Sequence, residues 1–116
     1  MHSAVRVIVS IEPRMYREVL AFSLRNERPE VEVSLVGSTD ELVAEVERTG
    51  AHFIVANEVP PAAREREGLY WIEVSEARSE ESLTAEISAD GYSRSVRDLR
   101  VEHVLEALDR VEEGSR

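Results

Sequence analysis

Ser10, Glu12, Asn57, Ser75 and Ser95 each stand at or just past the end of a short strand-like run, where a sheet delivers side chains to a site. Their types limit what such a site could do. Two acidic groups, Glu12 and Glu58, could together hold a weakly bound Mg²⁺ or exchange a proton. Asn57 closes "GAHFIVAN" and offers a neutral amide, which is neither a nucleophile nor a hard anionic ligand. The chain has no cysteine, so disulfides, thiolate metal sites and thiol nucleophiles are excluded. All 14 basic residues are arginine, so Schiff-base and lysine-base chemistry is excluded as well.

Neither metal nor cofactor is expected. His2, His52 and His103 fall at the terminus, at the opening of a strand and on a helix, without ligand spacing. "SIEPRM" follows the first strand, where a dinucleotide fold would place glycines, and there is no phosphate-cradling G-x-x-x-x-G-K-[ST].

The elements that would position these residues are legible in outline. The 116 residues suit one domain spanning 1–116. A net charge of −10 argues against nucleic acid as a partner. No apolar run approaches the ~20 residues of a membrane helix, and "MHSAVRVIVSIEPR" does not look like a secretory signal. A cytoplasmic protein with no membrane partner is the expectation.

The runs at 4–10, 31–37, 51–56, 69–75 and, weakly, 91–96 predict strands. "RMYREVLAFSLRNE" predicts a helix with Met15, Val19 and Phe22 on one stripe and Tyr16, Leu20 and Leu24 beside it. Ser38 and Glu41 form a capping box for the next helix, which Gly50 stops. "PPAAREREG" allows a short charged helix, "ARSEESLTAEIS" reads as a modest one, and "RVEHVLEALDRVEE" is a terminal amphipathic one. This alternation predicts an α/β fold, flavodoxin-like and doubly wound. Its five-stranded parallel sheet would have the order 2-1-3-4-5, with helices on both faces.

With these stretches in that order, the chain resembles the receiver domain of two-component response regulators over nearly its whole length. The resemblance is carried by "VRVIVSIEPRMYREVLAFSLRNERPEVEVSLVG", by "GAHFIVANEVPP" and by "ADGYSRS" with the helix that follows. It implies a metal-holding acidic pair where Ser10 and Ile11 stand, a phosphoacceptor aspartate where Asn57 stands, and a lysine where Ser95 stands. The phosphate-contacting hydroxyl is retained as Ser75 and the aromatic switch residue as Tyr92. Ser10, Ile11, Glu12, Asn57, Ser75 and Ser95 therefore outline a degenerate phosphoacceptor pocket.

The function this implies is a pseudo-receiver, a non-catalytic protein-interaction module in signalling that works without phosphorylation. The resemblance places its partner, a protein and possibly a second copy, on the last helix and fifth strand. Tyr92, Arg94, Arg97, Glu102, His103 and Glu106 lie on that face. The alternatives are a small phosphotransfer or phosphohydrolase enzyme using Glu12 and Glu58, and a small-ligand sensor using the vacated pocket.

Overall fold

The computed structural model describes residues 5–11, 14–66, 68–75, 84–89, 92–96 and 100–114. Four parallel strands come first along the chain: β1 (Arg6–Ser10), β2 (Glu32–Leu35), β3 (Phe53–Ala56) and β4 (Tyr70–Ser75). They lie in the order β2-β1-β3-β4, with Val7 level with Phe53 and Ile54 level with Trp71. β3 is buried at every position, as a strand covered on both faces must be.

The sheet then departs from the expected parallel five-stranded arrangement. Thr84–Ala89 (β5) pairs antiparallel with β4, and Tyr92–Val96 (β6) pairs antiparallel with β5. The result is a mixed six-stranded sheet with β6 at its edge. β5 occupies the second half of the stretch read as a helix. "TAEISA" alternates polar and apolar at period two, which suits a strand with one wet face. Ile87 turns inward and Glu86 outward. Ala89 is level with Tyr92, so Asp90 and Gly91 alone separate the two strands. The fold is α/β, but it is not the all-parallel flavodoxin-like sheet.

Four helices flank the sheet among the described residues: α1 (Arg14–Glu27), α2 (Thr39–Thr49), α3 (Pro61–Arg64) and α4 (Val101–Gly114). α1 and α4 cover one face. Leu20, Leu24, Val104 and Leu108 pack there on Val7, Val9, Phe53, Val55, Ile72, Val74 and Ile87. Arg28 clamps the two helices with two parallel bonds to Asp109, at 3.1 and 3.0 Å. α2 and α3 cover the other face, where Leu42, Val46 and Ala63 meet Ile8, Ile54 and Ala56.

α2 has the expected ends. Ser38 Oγ accepts from the Glu41 amide at 3.2 Å, the Glu41 carboxylate reaches back to the Gly37 amide, and Gly50 closes the helix at φ 65°. Of the two apolar stripes of α1, the one with Leu20 and Leu24 meets the sheet. Leu20, Ala21 and Leu24 are its buried residues, while Met15, Val19 and Phe22 face solvent. The helix is apolar on two sides, and the β1–β2 surface accepts the side carrying the two leucines.

Candidate functional site

β1, β3 and β4 end side by side, and Asn57 is the first residue past the end of β3. Its backbone N–H donates to the Ser10 carbonyl at 3.3 Å, tying it to β1. Its side-chain Nδ2 donates to the Val74 carbonyl at 3.0 Å, tying it to β4. The register sets Ala56 level with Glu73, so Val74 is the next step along β4. The amide thus carries the β3–β4 hydrogen bonding one residue beyond the last strand pair. A carboxylate has no hydrogen to donate there and would set two acceptors against each other.

Ser10, the last residue of β1, is half-buried, and Ile11 is 4% exposed within the α1/α4-side core. An acidic residue at position 11 would have to be desolvated among Val5, Val9 and Leu20. Ser75 ends β4 level with Thr84, and its side chain lies outside the description. Glu12 lies outside the described residues, and Glu58 is exposed.

Ser95 is exposed on β6, level with Glu86 of β5, which is itself level with Glu73 of β4. The extra antiparallel strand moves Ser95 about 4.8 Å further from Asn57 than the expected topology would. Ser10 and Asn57 are therefore brought together, with Ile11 beside them, whereas Ser95 is set apart. Among the described residues no cluster of three histidines or carboxylates has the geometry to hold a metal ion. No described helix is long and apolar enough to cross a membrane.

The same edge holds a cluster that sequence reasoning missed. Glu73, half-buried on β4, accepts from the Val59 amide at 3.0 Å and from Arg64 Nη2. Arg64 also donates from Nε to the Val59 carbonyl, and its guanidinium lies 4.6 Å from the Trp71 ring centre. Burial pushes the Glu73 carboxyl up. The Val59 N–H, and the Arg64 guanidinium by hydrogen bond and by charge, outweigh that, so it sits below its ordinary value. This clamp fixes the loop immediately after Asn57. Nothing in the spacing of Val59, Arg64 and Glu73 announces it, because it depends on the β3–β4 register.

On the expected partner face, the backbones of Tyr92 and Arg94 pair with Ala89 and Ile87. Their side chains, and the whole of Arg97, lie outside the description. Glu102 and Glu106 are exposed. His103 is half-buried, and its Nδ1 accepts from the Arg100 amide at 2.9 Å, capping the start of α4. Val104, Ala107 and Leu108 are turned to the core.

No family model matches the chain, and no curated protein or solved structure matches it either.

Proposed function

We propose that this chain is a non-catalytic, phosphorylation-independent module of receiver-like ancestry that acts by binding a protein in signalling or regulation. The observation that carries this reading is the state of Asn57. The residue standing where a phosphoacceptor would act is an amide whose Nδ2 is engaged by the Val74 carbonyl. It therefore serves the sheet and cannot form an acyl phosphate. The buried Ile11 beside it supports the same reading, since a metal-holding carboxylate is excluded from that environment. The parallel order β2-β1-β3-β4 is compatible with this reading, whereas β5 and β6 pair antiparallel where a fifth parallel strand is expected. A net charge of −10 favours a protein partner over nucleic acid.

Acetyl phosphate with Mg²⁺ tests this. The intact mass should not rise by one phosphoryl group, and the emission of Trp71 should not change. A stoichiometric phosphoryl adduct would overturn the reading and, if mapped to Glu12 or Glu58, would replace it with a phosphotransfer enzyme.

A further inference from the structure

α1 carries more apolar surface than its own core needs. Leu20, Ala21 and Leu24 face the sheet, and on the opposite side Met15, Val19 and Phe22 form a stripe at i, i+4 and i+7. These three are 63%, 55% and 69% exposed, and Tyr16 beside them is 44% exposed. Among the described residues the exposed large hydrophobics are these four and Leu35, which lies on the adjoining edge strand. The last helix, by contrast, turns Val104 and Leu108 to the core and shows solvent Glu102 and Glu106. Among the described residues the exposed apolar surface is thus concentrated on the first helix.

The neighbouring strand edge is partly covered by α1. Arg25 Nη2 donates to the Val33 carbonyl and Arg17 Nη1 to the Val36 carbonyl, each at 3.0 Å. Arg25 thereby occupies a backbone acceptor of β2 that strand addition would use, and Arg17 holds the residue just past the strand. What remains for a partner is the helix stripe and its charged flank, where Arg14, Glu18 and Arg25 line one side.

We infer that α1 is a self-association surface, pairing antiparallel with α1 of a second copy about a two-fold axis. Seating Val19 against Phe22 of the second copy brings Glu18 of each chain, already paired with its own Arg14 at 3.0 Å, near Arg25 of the other, whose Nη2 keeps its bond to the Val33 carbonyl. The symmetry makes this match twice, so stripe and flank are self-complementary. A 14-residue helix and one edge leucine cover less than the roughly 800 Å² per partner of a standard interface. The association is therefore a concentration-dependent monomer–dimer equilibrium. This deepens the proposed function by naming its partner, and the two fail separately. Phosphorylation would refute the non-catalytic reading alone, and a strict monomer would refute this inference alone.

Sedimentation velocity over a concentration series tests it with Phe22→Glu, a position exposed enough to leave the fold intact, as the melting temperature will verify. The wild type should dimerise, and Phe22→Glu should weaken the dimer about tenfold or more. Glu18→Arg and Arg25→Glu should each weaken it, and the double exchange should recover part of the loss. A wild type that stays monomeric, or a dimer indifferent to Phe22→Glu, overturns the inference. A dimer lost in Phe22→Glu but not recovered by the double exchange overturns the antiparallel arrangement.

Discussion

Strands β1, β3 and β4 run parallel with helices on both faces, whereas β5 and β6 run antiparallel and turn Glu86 and Ser95 to solvent. The first group must be apolar nearly throughout, and β3 is buried at every residue. The second group needs only alternate apolar positions, such as Ile87 and Val96, and leaves the rest free. The candidate site lies inside the first group. A polar residue there must have its hydrogen bonds met, and Asn57 does, through Ser10 and Val74. The contrast teaches what each half of the sheet demands of its polar residues. Ile11 lies in the core and Asn57 bonds across the sheet, so a carboxylate at either position opposes folding.

The largest effect expected from that contrast is at Ile11. Ile11→Asp should lower unfolding free energy by about 3 kcal/mol or more, because the charge is buried without a partner. Urea denaturation measures it, and a loss below 1 kcal/mol would mean that the edge is far wetter than the parallel half allows. Next comes Asn57→Asp, with an expected cost of about 1–3 kcal/mol at neutral pH from the lost donor and the opposed acceptors. The cost should shrink on acidification, because a protonated carboxyl can donate to the Val74 carbonyl again. Phosphorylation should not appear in this variant, and efficient labelling would sharpen the comparison in the opposite direction.

Glu73→Gln should cost about 1 kcal/mol or less, since Arg64 is more than a third exposed. A carboxyl held below its ordinary 4.5 in the folded state contributes stability fully above that range and loses it as pH falls through the folded value. The difference between wild type and Glu73→Gln, followed by urea midpoints, should therefore narrow only at pH below about 4.5. Smallest is Glu86→Thr on the open face of β5, expected within about 0.5 kcal/mol of wild type. A cost as large as that of Asn57→Asp would erase the distinction between the two halves.

The parallel half was legible in the sequence because its signals are local. β-branched runs, the Ser38–Glu41 box and the stop at Gly50 fall within a few residues of the structural boundaries. β5 was obscured because Leu83 and Ile87 also stand at helical spacing, and Glu, Ala and Ser suit a helix. The competing signals were the strict alternation of "TAEISA" and the Asp90-Gly91 pair before "YSRSV", a strong hairpin signature. For α1, two apolar stripes share one helix, and periodicity cannot tell which meets the sheet. At the site, Asn57 was placed at the end of β3 from sequence. Its bond to Val74 and the Glu73–Arg64 clamp both depend on strand register, which no short stretch encodes.

The two-residue connection between β5 and β6 also bears on the order of events in time. Val7 and Phe53 of the central pair stand 46 positions apart in the chain, as do Arg6 and His52, whereas Ala89 meets Tyr92 three positions on. Closing the long loop costs more entropy and sets the pace of assembly, while a hairpin closes within about 1–10 μs. The hairpin is thus ready before the parallel strands have found one another. In the folded chain β6, like β2, pairs with one neighbouring strand only.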